Sequence, residues 1–396
     1  MTSPINTRSG HLFFVRGLLA ALVATTLAGC SLWSADKAKP VPADLGANVA
    51  VLGVRQAWTA RVGSVAGLPL EPHVAGNVVT VASADGAVAA LDARTGGDIW
   101  RVALAEPLSA AVGSDGKFAA VVSRNNALIV MDGGRERWRE TLAAQVFTPP
   151  LVAGGRVFVL SADRSVSAFD LATGRRLWAQ QRPGEPLILR QAGVLLAVGD
   201  TLVVGLSGRL VGLNPDNGSV RWEAPIASPR GTNDVERLVE LVGRTSRVGE
   251  IVCARSFQAA VGCVNTARGT MLWTQPASGS EGIHGDADTI FGSESNGTLV
   301  AWRRADGSRL WSIDRLKYRK LTAPLLLGRS VVVGDDAGLV HLLSRTDGSP
   351  LNRLATDGSA IAATPVVAVD TLVVVTRNGG ISVSYTHLTL PTILLV

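Results

Sequence analysis

The sequence predicts an all-β protein: an eight-bladed β-propeller of four-stranded antiparallel blades, with an N-terminal strand closing the last blade. Three observations carry that expectation. A turn followed by a tryptophan keeps returning, as "LDARTGGDIW" (91–100), "FDLATGRRLW" (169–178), "LNPDNGSVRW" (213–222), "VNTARGTMLW" (264–273) and "WRRADGSRLW" (302–311). Short Val/Ala/Leu runs alternate with glycine-containing turns along the same stretch, the pattern of hairpins. The 396 residues are 47% hydrophobic and include 43 glycines, which allows a large core crossed by many turns.

The first residues stand apart from that pattern. Arg8 and Arg16 precede the apolar run "GLLAALVATTLAGC", too short for a convincing membrane span. Its end, Leu27-Ala28-Gly29-Cys30, resembles the lipobox of bacterial lipoproteins. That resemblance implies a signal peptide over 1–29 and a lipid on the Cys30 thiol. Ser31, where an Asp would imply inner-membrane retention, points to the outer membrane. Residues 30–46, polar and Pro-containing, read as a tether; the sixteen residues after Cys30, if extended, span at most about 50–60 Å. The formal charge of +6 falls to about +4 without the leader arginines. It is scattered, with no basic block interleaved with aromatics, so nucleic acid is not an expected partner.

From 47 to 382 each repeat follows one grammar. An opening run such as "PPLVAGG" (149–155), "APLLLGR" (323–329) or "TPVVAVD" (364–370) gives a first strand. A run such as "NVVTVAS" (77–83) gives the second, then a turn at Asp85-Gly86 leads to "AVAALDA" (87–93), the third. A second turn at Thr95-Gly96 leads to the fourth, "GDIWRVAL". Tryptophan falls four residues after the turn glycine in six copies: Trp100, Trp138, Trp178, Trp222, Trp273 and Trp311. A seventh copy has Asn352 there. The eighth, from "TPVVAVD", lacks its own fourth strand, and "VRQAWTARVG" around Trp58 is a fourth strand lacking the other three. Joining them closes a ring of eight. A blade cannot bury both faces alone, so the indoles, including Trp58, are expected to fill the gaps between blades, about 150–250 Å² apiece. The tail "VSYTHLTLPTILLV" (383–396) leaves the grammar and reads as non-native sequence.

Sites of chemistry are sparse. The five histidines are scattered, and Cys30, Cys253 and Cys263 are the only cysteines, so no spacing suits a metal. No G-x-S-x-G or P-loop is present, and the carboxylates of "DAD" (286–288) and "GDDAG" (334–338) read as turn residues. No cofactor and no metal are therefore expected. Cys253 and Cys263 flank Gln258 symmetrically; a hairpin centred there would put them opposite one another, bonded or as buried thiols.

Two families carry resemblances. The motif "A-x-D-x-x-T-G-x-x-x-W" resembles the repeat of quinoprotein dehydrogenases, whose pyrroloquinoline quinone lies against a pair of adjacent cysteines; no cysteines are adjacent here. The lipobox, tether and blades together resemble the BamB family, lipoproteins of the outer-membrane β-barrel assembly machinery, over about residues 15–382. In "PLILRQAG" (186–193), Leu187, Leu189 and Arg190 fall on the family's L-x-L-R loop, which docks on the periplasmic POTRA domains of BamA. "NDVERLVELVG" (233–243) is similar to the family's "E-[IL]-[DE]-R-L-x-D-x-D" stretch of the same surface. Arg237 and Glu240 match it, while Val242 replaces the second late acid. "CARSFQAAVGC" resembles a Y-Q-G hairpin with flanking cysteines. The resemblance implies a non-catalytic scaffold on the periplasmic face of the outer membrane, with unfolded barrel proteins as further partners. A quinone oxidoreductase, or a propeller serving another envelope complex, is the alternative.

Without the family, the residues leave their own choice. Leu187–Arg190 is either an exposed partner loop or the buried first strand of its blade. Asn233 and Glu236 could cap a short helix exposing Leu238 and Val239.

Overall fold

The structure, a computed structural model, describes residues 40–69, 71–182, 188–229 and 238–386. Cys30, Leu187, Arg237 and the tail from 387 onward lie outside them. Among the described residues the regular elements are strands, grouped into eight separate four-stranded sheets. Seven are meanders. Blade 1 runs His73–Ala75, Val78–Ala82, Ala87–Asp92 and Asp98–Ala103, each strand antiparallel to the next. Blades 2 to 7 begin at Gly113, Leu151, Leu195, Leu241, Ile283 and Leu325. The eighth takes Val366–Ala368, Thr371–Val375 and Gly380–Thr386 from the end of the described chain, and its outermost strand, Val54–Arg61, from the beginning. Trp58 lies opposite Val383 and Arg61 opposite Gly380, so the N-terminal strand closes the ring. Pairing continues to Thr386, past the boundary at 382 that the repeat grammar gives. Ile381 and Val383 both point into the core and carry the strand across it.

The burial of each strand follows from its place in the blade. Second strands such as Ser330–Gly334 and Thr371–Val375 are buried throughout, because neighbouring blades cover both faces. Fourth strands are the open edges: in Asp98–Ala103 only Trp100 and Val102 are half-buried and the other four residues are exposed. The edge strand Arg135–Thr141 reads Arg-Glu-Arg-Trp-Arg-Glu-Thr, and charge along a free edge keeps it from pairing with another chain. Between blades the core divides into patches. Ala120 and Val130 of blade 2 pack on Val157 and Val159 of blade 3. Val203 and Leu210 of blade 4 pack on Val252 and Ala254 of blade 5.

The turn-and-tryptophan motif is a blade-to-blade joint. In blade 1, Asp92 Oδ1 accepts the N–H groups of Arg94 and Thr95 and the Thr95 hydroxyl, which closes the turn. Gly96 follows at φ +74°, and a Cβ there would stand 2.6 Å from the ring of Trp58, the indole of the preceding blade. So the glycine is needed twice, for its backbone and for its missing side chain. The same indole donates from Nε1 to the carbonyl of Ala93 at 2.9 Å. Trp138 donates to Leu171, Trp178 to Pro215, Trp273 to Arg304 and Trp311 to Arg345, each one residue past the start of the next blade's turn.

Asn352 breaks the series because another segment covers its joint. Residues 45–52 lie along the outer strand of blade 7, Pro350–Ala355. The Leu52 N–H donates to Leu351, Asn352 Nδ2 donates to Leu52 at 2.6 Å, and Asn48 donates to the Asn352 side chain. Leu52 is buried against Leu342 and Leu372, so this segment covers the joint that an indole covers elsewhere.

A meander puts two kinds of connection on opposite faces of the ring. Turns between strands one and two, and three and four, emerge on one face. Turns between strands two and three emerge on the other, with the connectors between blades. Of the segments singled out from the sequence, the described residues 188–193 and 238–240 lie in connectors, before the first strands of blades 4 and 5, so they belong to the second face.

Candidate functional site

Three segments meet on that face. The first strand of blade 4 is Leu195–Val198. Residues 188–194 therefore precede it as connector, and the alternative that 187–190 form that strand does not hold. Ile188 and Leu189 are half-buried and Arg190 is exposed. The loop's apolar part is thus partly covered by its own chain: Ile188 and Leu189 line a shallow pocket of about 50 Å³ with Phe147, Leu160 and Glu240. The Arg190 guanidinium carbon stands 5.8 Å from the centre of the Phe147 ring, within cation–π range, which aims an otherwise mobile side chain. Backbone and side-chain bonds fix the loop from three directions. Gly193 N–H donates to the Thr148 hydroxyl, Gln191 Nε2 donates to Ser280, and Gly243 N–H donates to Ala192.

The second segment, 238–243, enters blade 5. Glu240 accepts from Arg164 at 2.8 Å, with the two side chains 17% and 9% exposed. Its carboxylate is committed inside the chain, tying this connector to the turn of blade 3. Val239, which a helix at this place would expose, is buried instead, and Leu238 is half-buried. Val239 packs beside the Gly208 turn of blade 4, and its carbonyl accepts the Ser256 hydroxyl, which leaves no free face to present. Val242, in place of the family's second acid, is 1% exposed and sits across the sheet from Arg255. Gly205 permits the close approach: a Cβ there would stand 2.9 Å from Leu241 and from Val194.

The third segment is the hairpin turn at Phe257-Gln258. Phe257 N–H donates to Glu240 and Gln258 N–H to Gly279, so the hairpin is stitched to both neighbours. Cys253 and Cys263 lie opposite one another in this hairpin and are disulfide-bonded, with Cα atoms 3.9 Å apart. Arg255 beside them is fully buried and pairs with Glu294 at 3.1 Å, its guanidinium 5.9 Å from the Trp302 ring centre.

At the centre of the same face a funnel opens, about 420 Å³, lined by Arg190, Arg244, Lys320 and Arg377 among others. Arg244 reaches across it, donating to the carbonyl of Pro365 in blade 8 and standing 3.8 Å from Glu71 of blade 1. Burial pushes the Glu281 carboxyl up, against the pull of Arg255. Burial also pulls His284 down to about 3, helped by Arg244 and Arg304, so this imidazole is neutral and its Nδ1 accepts the Leu326 N–H. Among the described residues no three His, Cys, Asp or Glu side chains form a group that could hold a metal ion. Sequence reasoning missed Arg164, Phe147 and Arg244. The first two lie in other blades, and Arg244 adjoins a recognised segment without belonging to its motif.

A family profile described as "Outer membrane protein assembly factor BamB" matches residues 84–313. The chain is similar to the protein of that name from Burkholderia pseudomallei, 39% identical over 91% of this chain and 95% of the relative. The one from Bordetella pertussis is 37% identical over 95% and 98%. Among solved structures, BamB from Moraxella catarrhalis superposes with a TM-score of 0.77 at 24% identity, covering 84% of this chain and all of that one. The quinohemoprotein alcohol dehydrogenase from Comamonas testosteroni superposes at 0.65 with 14% identity over 85% and 77%, a likeness of fold alone. With more than half of the chain matched by the profile and near-full-length relatives above 30% identity, the chain belongs to the BamB family of outer membrane protein assembly factors.

Proposed function

We propose that this protein is a non-catalytic scaffold of outer-membrane β-barrel assembly, held to the periplasmic face of the outer membrane by a lipid on Cys30. It binds the POTRA domains of BamA through the connector face, with Leu187, Leu189, Arg190 and Arg237 at the contact. The observation that carries this reading is the convergence of the connector 188–194 with the entry into blade 5, 238–243, with the exposed Arg190 aimed by Phe147. Arginine on a rigid, partly apolar base is the kind of residue that concentrates binding energy. Glu240 serves by holding the second connector on Arg164. A ring fixed at one face and tethered at the membrane orients its partner; it needs no chemistry of its own. The disulfide-bonded cysteines, ten residues apart in sequence within one hairpin, differ from the adjacent pair of the quinone enzymes.

The test is a pull-down from detergent-solubilised outer membranes with the wild type beside Arg190→Glu. Recovery of BamA by the wild type and its loss with the folded variant supports the scaffold and the loop. A wild type that recovers no BamA refutes the partner.

A further inference from the structure

The funnel at the centre of the connector face has a charge pattern that the loop motif does not explain. Four cations line it: Arg190 from the connector into blade 4, Arg244 from blade 5, Lys320 from the connector into blade 7, and Arg377 from the turn of blade 8. They come from separate parts of the chain, and only the ring brings them together. Arg190, Lys320 and Arg377 are exposed, and none of the three forms an ion pair among the described residues.

The acids that face the same space are already engaged. Glu71 stands 3.8 Å from Arg244. Asp336 accepts the backbone N–H of Lys320, which fixes it at the rim rather than at the ammonium. Glu281 faces the buried Arg255, and burial favours its neutral form. The space, about 420 Å³, therefore carries an excess of positive charge, and Arg244 crosses it to Pro365. Charge focused in a concave, low-dielectric mouth attracts a complementary group more strongly than the same charge on a convex surface.

We propose that this funnel receives an acidic segment of the protein partner, a loop or chain end carrying two or more carboxylates, which enters past Arg190 and pairs with Lys320 and Arg377. The proposal rests on the scaffold reading for the identity of the partner and adds to it a second contact, deeper than the loop. The two contacts divide the work. Arg190 and the half-buried leucine beside it supply a rim anchor. The funnel supplies charge that steers and registers the partner, and that contribution weakens with salt.

The experiment compares four forms of the full chain for retention of BamA from solubilised membranes, at about 50 and 300 mM salt. They are the wild type, Arg190→Glu, Lys320→Glu with Arg377→Glu, and Arg94→Glu with Arg175→Glu. The last pair lies in exposed turns on the opposite face and changes the net charge by the same amount. The expected result is at least a ten-fold loss for Lys320→Glu with Arg377→Glu at low salt, a smaller loss at high salt, and little change for the opposite-face pair. Retention unchanged in the funnel variant while Arg190→Glu loses the partner overturns the funnel and leaves the scaffold standing. Equal losses in both double variants also overturn it, because net charge alone then accounts for them. A wild type that retains nothing overturns both readings. A photoreactive residue at 377 adds a second readout: adducts on an acidic stretch of BamA support the proposal, and adducts confined to neutral or basic stretches overturn it.

Discussion

Replacing Glu240 by Gln separates a residue that touches a partner from one that holds the touching residues in place. The carboxylate sits 2.8 Å from Arg164, with 17% and 9% of the two side chains exposed. Exposed pairs contribute about 0–1 kcal/mol, and removing one member of a fully buried pair costs about 3–5 kcal/mol. A pair this well covered, replaced by an amide that keeps its shape, falls between, at about 2 kcal/mol. With an m value of about 3–4 kcal/mol/M in urea, the unfolding midpoint should drop by about 0.5 M. Retention of BamA should fall several-fold, since the entry into blade 5 at 238–240 loses its tie to blade 3. Arg190→Glu should do the opposite, abolishing retention while moving stability by less than about 0.5 kcal/mol, as an exposed position does. Urea titration and pull-down on the same three proteins decide the matter. If Glu240→Gln abolishes retention at an unchanged midpoint, the carboxylate contacts the partner itself and the positioning argument is wrong.

Trp273 is 8% exposed and bonded to Arg304, so Trp273→Ala should cost about 3–5 kcal/mol by urea unfolding; a loss below about 1 kcal/mol would mean that the indole does not hold blades 5 and 6 together. His284 has an ordinary pKa of 6.5 and is held at about 3 in the ring. The unfolded chain therefore binds a proton in that window that the folded chain refuses. Its contribution to stability is whole above pH 6.5 and shrinks by about 1.4 kcal/mol per pH unit as pH falls toward 3. Urea midpoints at pH 7, 5 and 4 should fall less steeply in His284→Asn than in the wild type, and parallel curves would remove His284 as the cause. Cys253→Ala with Cys263→Ala opens a loop of ten residues' separation, which loop entropy rates at about 2–3 kcal/mol; an unchanged midpoint in reducing and oxidising buffer would deny the bridge that role.

The repeat was legible because its determinants are local. Asp92, Thr95 and Gly96 make one turn by themselves, and the tryptophan four residues on lies at a fixed place on the next strand. Any copy of that grammar implies the same blade, so the count of blades and the closure through Trp58 could be read without coordinates. The exceptions depended on residues far away in sequence. Asn352 looked like a lost tryptophan until residues 45–52, some 300 positions earlier, were seen lying over it. Val239 looked like an exposed helix residue because its burial depends on Gly208 and Ser256 in neighbouring strands and turns. Glu240 looked like a surface acid because Arg164, 76 residues away, leaves no trace in the local pattern.

That division also explains where a propeller of this kind can carry function. Within each blade the inner strands are consumed by core packing, and the aspartate and glycine of the third-to-fourth turn are consumed by closing it under the neighbouring indole; a substitution of those residues is paid in stability, while exposed turn positions such as Arg94 and Arg175 are free of that duty. The connectors and second-to-third turns have fewer such duties. They can vary in length and charge, as the Lys320 and Arg377 positions show, while the ring beneath stays the same. Residues from blades 4, 5, 7 and 8 can then be brought to one funnel with no change in the repeat that positions them. A binding face on this fold is therefore sought among its connectors, and in this chain the entries into blades 4 and 5 and the cations of the funnel lie on one side of the ring.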